Sequence, residues 1–176
     1  HGSGTYVAKP RVTYESNELI NYIQAMEQRN IASASQLLEF DEIAASRRLA
    51  EQLDVEIGDS LYRVVMLRFA NRVPVILERV FFPCSRCPNL EEWDLEKTSL
   101  FDLLVNVYGA DLARVSQTVE AIAANETIAQ QLRVSEGFPL LKLDRTIYNA
   151  TNNKPIEYSQ DYFRCDYTRI HMDIEL

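Results

Sequence analysis

Shifted by 79 positions, the chain lies over itself: Ala50 falls on Ala129, Leu53 on Leu132, Val55 on Val134, Gly58 on Gly137 and Leu61 on Leu140. With two extra residues allowed in the second turn, Pro74 falls on Pro155. Each copy reads as a helix, a glycine turn and a β-hairpin. The expected fold is therefore α+β, two similar α-β-β halves sharing one antiparallel sheet. A pocket between such halves would draw side chains from both hairpins. A length of 176 residues and a hydrophobic content of 47% suit one domain with a full core.

Local patterns fill in the halves. Ser16 can cap a helix over 17–29, whose Leu19, Ile20, Ile23 and Met26 fall on one face. The small polar run Ala32–Gln36 reads as a loop entering a strand at Leu37. A short helix follows at 46–53. Two β-rich runs, 61–69 and 74–82, flank Ala70-Asn71-Arg72 and predict a tight hairpin. Leu100, Leu103, Leu104, Val107 and Tyr108 have helical spacing, with Gly109 as the stop. Alternation predicts a strand over 111–124, Asn125 caps a second short helix, a second hairpin occupies 138–164, and a last strand runs over 170–176.

Charge narrows the partners. With 26 acidic residues against 18 basic ones, the net charge of -8 repels phosphate backbones, so this stretch is not expected to hold DNA. An anionic small molecule would need a local group of arginines or backbone amides to offset that field. Cys84, Cys87 and Cys165 are an odd number, which argues against a secreted disulfide framework. The pair Cys84-Ser85-Arg86-Cys87 has metal-knuckle spacing, yet a closed zinc site wants four ligands and the histidines are His1 and His171 alone. No metal or cofactor is expected. No run approaches the roughly 18 apolar residues of a membrane span and no basic-then-apolar leader opens the sequence, so no membrane association and a cytoplasmic location are expected.

Within the first hairpin, Arg68 and Glu78 sit on opposite arms, and a three-residue turn would set them diagonally on one face. They form either a plain cross-strand ion pair or the charged lining of a cavity. Ser99 opens the 100–108 helix, either as a cap paired with Asp102 or as an anion contact.

Ordered motifs run through most of the chain: Leu37-Leu38-Glu39-Phe40, Leu49-Ala50 with Leu53 and Gly58-Asp59, Arg68 to Val75, Phe82-Pro83, Pro88-Asn89-Leu90, Ser99-Leu100-Phe101-Asp102, Lys154 to Ser159, and Tyr162 to Asp166. In order and spacing they resemble the UTRA domain, the effector-binding domain of GntR-type transcriptional regulators of the HutC branch, over residues 31–176. The segment Gly2–Ala8 looks like the wing tip and return strand of that family's winged helix-turn-helix, and no DNA-reading helix follows. The division implied is a remnant of wing and linker at 1–12 and an effector-binding domain at 13–176. The resemblance implies a chorismate-lyase-like fold, a homodimer, and a small-molecule effector that controls DNA binding through an N-terminal winged helix-turn-helix absent from this sequence.

It also implies site residues. In similar proteins an arginine and a glutamate at the places of Arg68 and Glu78 face the effector, as does a glutamate at the place of Glu157. Ser35 and Gln36 match a loop that offers backbone amides to anionic effectors. Ser99, Phe101 and Phe163 complete the expected lining. Phosphosugar-binding relatives carry a second arginine where Met66 stands and a tyrosine where Phe163 stands. With a single fixed cation a buried phosphate is poorly compensated, which leaves open whether the small polar effector is a sugar phosphate or a related sugar derivative. Arg145, the repeat partner of Met66, could act from the other half or serve structure alone. The competing readings are a chorismate-lyase-like enzyme acting on a small carboxylate, and a dimerisation module with an unused cavity. The absence of an evident nucleophile-base pair or metal cluster favours the sensor.

Overall fold

In a computed structural model, residues 12–15 and 22–171 are described. Two matching β-α-β-β halves build a six-stranded antiparallel sheet. The first contains β2 (Ser33–Ala44), α2 (Arg47–Leu53), β3 (Ser60–Ala70) and β4 (Val73–Pro83). The second contains β5 (Leu112–Ala123), α4 (Glu126–Leu132), β6 (Pro139–Asn149) and β7 (Pro155–Arg164). The strand order β2-β3-β4-β7-β6-β5 reads the same from either edge, and the halves meet where β4 pairs with β7. The chorismate-lyase-like α+β architecture is therefore present, with one more strand per half than the α-β-β unit expected.

The halves agree down to their caps. Ser46 Oγ accepts from Leu49 N at 3.3 Å and Asn125 Oδ1 accepts from Ile128 N at 3.0 Å, each satisfying a first-turn amide. After the helices, Gly58 (φ 96°) and Gly137 (φ 78°) take the left-handed backbone that each turn needs. Their amides donate to Ala45 O at 2.9 Å and Ala124 O at 2.8 Å, tying each turn back to the strand before it.

Both sheet faces are covered. On one, α2 packs Ala50 and Leu53 with Leu61, Phe81 and Tyr158, and α4 packs Ile128, Ala129 and Leu132 with Leu67, Leu77 and Leu140. On the other, α1 (Tyr22–Gln28) buries Tyr22, Ala25 and Met26 against Ile76, Leu143 and Phe163. That face also carries α3 (Leu100–Asp102) and the π-helical turn Leu103–Val107, with Leu100, Leu103 and Leu104 against Val64, Met66 and Phe82. A small parallel pair, β1 (Val12–Glu15) with β8 (Thr168–His171), closes the α1 side.

Several expectations change. The run Ala32–Gln36 is not a loop, because β2 begins at Ser33 and pairs Ser33 with Ala70. The 100–108 helix widens into a π-turn, which rotates Val107 outward to 47% exposure instead of onto the buried face. Tyr108 stays half-buried and donates to Pro88 O at 3.2 Å. The last strand starts at Thr168, two residues before the expected start. Ser16, the early turns of the expected 17–29 helix, the wing-like segment at 1–11 and residues 172–176 lie outside the described residues. Val12, assigned to the linker, is buried within the α1 cluster.

Candidate functional site

The first hairpin turns on Asn71 (φ 49°) and Arg72 (φ 66°), both left-handed, so the turn has two residues and not three. A straight ladder from Ala70 opposite Val73 would then set Arg68 and Glu78 on opposite faces. A register shift at Arg68/Phe69 prevents this by pairing Phe69 with Pro74 but Arg68 with Ile76. The bulge supplies the residue that the turn lacks, and Arg68 and Glu78 lie diagonally on one face. The second hairpin has the same shift at Ile147/Tyr148, which sets Glu157 opposite Ile147 and Ser159 opposite Arg145.

Cross-strand partners share a face, so the row Met66, Glu78, Asp161, Leu143 and the next row, Val64, Val80, Ser159, Arg145, form one patch across the β4–β7 seam. Five ionisable residues gather there. Arg68 Nε and Nη2 donate to Glu78 Oε2 at 2.9 and 2.6 Å, while Nη1 donates to Ser35 Oγ at 2.7 Å. Arg145 Nη2 lies 3.3 Å from Asp161 Oδ2, 3.6 Å from Glu157 Oε1 and 3.9 Å from Glu78 Oε1. Arg68, Arg145, Glu157 and Asp161 are each buried to at most 4% exposure, a depth at which charge is expensive. Tyr22 of α1 stands over this patch, its ring 6.0 Å from the Arg68 guanidinium and its hydroxyl donating to Phe69 O at 2.8 Å.

Electrostatics follow from depth. Burial lifts the Glu157 carboxyl to about 7 against the pull of Arg145. Asp161 is pushed upward for the same reason, again opposed by Arg145 and reinforced by Glu78. Ser159 Oγ and Asp161 Oδ1 are buried with no hydrogen-bond partner. Groups of this kind, costly to the fold and gathered in one place, mark a binding site more readily than a scaffold.

The structure thus brings Arg68, Glu78, Glu157 and Ser35 together, with buried Phe163 in the neighbouring row beside Ile76. It does not bring in Gln36, which pairs with Leu67 on the other face and is exposed. Nor is the edge amide of Leu37 on offer, since it donates to Glu96 Oε1 at 2.9 Å. Ser99 acts as a helix cap, its Oγ accepting from Asp102 N at 3.3 Å. Phe101 is half-buried and outside the buried clusters. Asp161 and Ser159 were missed and Arg145 was underrated. The available signal was that Arg145 sits in the repeat at the place of Met66, a core position. Cys87 packs in the apolar cluster beside α3, where burial pushes its thiol up to about 12 and keeps it protonated.

A recess of about 460 Å³ lies elsewhere, on the α2/α4 face, lined in part by Leu38, Arg63, Arg79, Phe81 and Gln131. Its cations are already engaged, Arg63 with Asp41 at 2.8 Å and Arg79 over the Tyr162 ring at 5.3 Å. The buried seam carries the stronger functional signature because its charges lack the solvent that moderates those of the recess.

Residues 28–169 match the sequence profile of the UTRA domain. The chain belongs to that family. The UTRA domain is the effector-binding part of GntR-type transcriptional regulators, and the curated relatives are regulators of this kind. The repressor NagR of Bacillus subtilis (strain 168) is 27% identical over 97% of this chain and 70% of its own length. The mannosyl-D-glycerate transport/metabolism system repressor MngR of Escherichia coli (strain K12) is 27% identical over 94% of this chain and 68% of its own. The histidine utilization repressor of Pseudomonas putida, of the HutC kind, is 26% identical over 85% of this chain and 59% of its own. Among solved structures, PhnF from Mycobacterium smegmatis shares the UTRA fold at a TM-score of 0.88 and 21% identity, covering 96% of this chain and 74% of that one. Among the described residues no helix is long and apolar enough to cross a membrane.

Proposed function

We propose that this UTRA domain senses a small polar metabolite held at the β4–β7 seam and passes its binding on to a DNA-binding head. The observation that carries the reading is the buried group Arg68, Glu78, Arg145, Glu157 and Asp161, an arrangement that apolar residues would replace in a plain core at little or no cost. Carboxylates suit a polyhydroxylated or aminated compound because each oxygen accepts paired hydrogen bonds. The ligand enters from the face where α1 and α3 flank the charges, and its contacts to both halves bias how they sit.

Residues 13–176 form the sensing domain, 1–12 the end of a winged helix-turn-helix, and two copies pair so that the effector alters the spacing of two DNA-binding heads. The chemistry is recognition and not turnover: the relatives are repressors, and the charged group contains neither histidine nor cysteine.

The test is a thermal-shift screen with sugar phosphates, amino sugars and amino-acid derivatives on the unaltered chain and on Arg68→Ala and Glu78→Gln. A stabilising compound whose effect disappears in both variants is the expected result. A compound whose effect survives both would move the site elsewhere. Turnover of chorismate by the purified chain would reverse the sensor reading.

A further inference from the structure

The seam is unbalanced in two ways. It contains three carboxylates, Glu78, Glu157 and Asp161, and two guanidiniums, Arg68 and Arg145. Fully ionised, it has one buried negative charge too many. Its hydrogen bonding is also lopsided. Arg68 commits Nε and Nη2 to Glu78 and Nη1 to Ser35, three of the five N–H groups of a guanidinium, all to residues of its own sheet. Arg145 faces three carboxylates. An incoming anion would have to break these pairs in a low-dielectric setting before it gained any of its own.

Two acceptor oxygens of the seam remain open. Asp161 Oδ1 and Ser159 Oγ have no hydrogen-bond partner, and their residues are 2% and 0% exposed. Both belong to β7, two residues apart on one face. Asp161 is opposite Glu78 and Leu143, and Ser159 is opposite Val80 and Arg145. A buried acceptor without a donor is costly and a buried surplus of negative charge more so, and a ligand that brings N–H donors with a positive charge corrects both.

We propose that the metabolite sensed at this seam carries a protonated amine, which seats on Asp161 Oδ1 and Ser159 Oγ. The inference rests on the sensing site assigned above and adds the ligand's chemical class. The titratable or charged groups facing the seat are Arg68 from β3, Glu78 from β4, Arg145 from β6, Glu157 from β7 and Tyr22 from α1. Burial raises both Glu157 and Asp161, so the empty seam holds on to a proton that an ammonium group would replace. The amine thus supplies the charge, and the rest of the molecule is free to be a sugar or an amino-acid skeleton.

Methylammonium chloride and sodium phosphate serve as minimal probes at matched ionic strength. Each is titrated into the chain while melting temperature and the 13C shift of the Asp161 carboxyl are followed. Methylammonium should raise the melting temperature and move the Asp161 signal saturably, where sodium chloride does neither. Its apparent affinity should fall by roughly tenfold or more in Asp161→Asn and measurably in Ser159→Ala. Ser159→Ala removes one hydroxyl and keeps the charges, so it remains informative if Asp161→Asn fails to fold. If methylammonium behaves as sodium chloride, the amine seat is wrong. If phosphate instead shifts the Arg68 or Arg145 side-chain signals saturably, the seam is an anion site: the amine proposal falls and the sensing site stands. If metabolites stabilise the chain equally with and without Arg68→Ala, the sensing site itself falls.

Discussion

Arg145 shows what a single buried cation does in this domain. At 3% exposure it cannot be solvated, and its charge is sustained by Asp161, Glu157 and Glu78. The three carboxylates in turn depend on it, so the group stands or falls together. Glu157 lends the arrangement a pH signature whose sign is the reverse of the usual salt-bridged acid. Its carboxyl is raised from 4.5 to about 7 by burial, so the folded chain binds a proton more tightly than the unfolded chain between those values. Stability from this group is present below pH 4.5 and is lost as the pH rises through about 7. Urea unfolding midpoints measured from pH 5 to pH 8 should therefore decline for the unaltered chain. In Glu157→Gln, whose side chain does not titrate, the decline should be visibly smaller. An unchanged decline in Glu157→Gln would show that the group stays ionised in the fold.

Elements carry the site through backbone geometry more than through composition. The two-residue turn at Asn71 and Arg72 demands left-handed φ at both positions, and arginine is poorly suited to the second. Arg72 is exposed and makes no hydrogen bond among those described, so Arg72→Gly should stabilise the chain by about 0.5 to 1 kcal/mol, read as a rise of a few degrees in melting temperature. A fall would mean that Arg72 holds a contact that outweighs the strain. The same hairpin shows how far the sequence could be read. The cap at Asn125, the glycine turns and the pairing of strands within each hairpin were legible, because each depends on residues close in the chain. The bulge was not legible, yet it decides which face Arg68 shares with Glu78. The depth of Asp161 and Arg145 was hidden for another reason. Central strands covered on both faces lose the period-two alternation that separates inside from outside, and β7 is buried almost throughout. The polar start of β2 misled in the opposite direction: Ser33 to Gln36 read as a loop, whereas edge strands tolerate polar residues on a half-exposed face.

At the scale of the whole molecule, two arginines staple the halves. Arg86, just beyond β4, donates to Leu53 O at the end of α2 (2.8 Å) and to Pro155 O at the start of β7. Arg164, at the end of β7, donates to Leu132 O at the end of α4 (3.2 Å) and to Pro74 O near the start of β4 (3.4 Å). Each therefore ties the helix of its own half to the hairpin of the other. Arg86→Ala and Arg164→Ala should each cost about 1 to 3 kcal/mol in chemical unfolding and should lower the hydrogen-exchange protection of β4 and β7 more than that of β2 and β5. Uniform loss of protection across all six strands would show that the staples act on global stability alone. Frame and site obey opposite rules. The frame repeats: Ala45 and Ala124, Leu53 and Leu132, Pro74 and Pro155 are equivalent. At the seam every charged residue corresponds in the repeat to an uncharged one, Arg68 to Ile147, Glu78 to Ser159, Arg145 to Met66, Glu157 to Ile76 and Asp161 to Val80. A receptor with a true dyad would accept a lopsided guest in either of two orientations, so its response would be an average over both. One copy of each pair is charged and the other is not, so the seam has a head and a tail, and on the proposed reading a lopsided metabolite would meet different groups at its two ends.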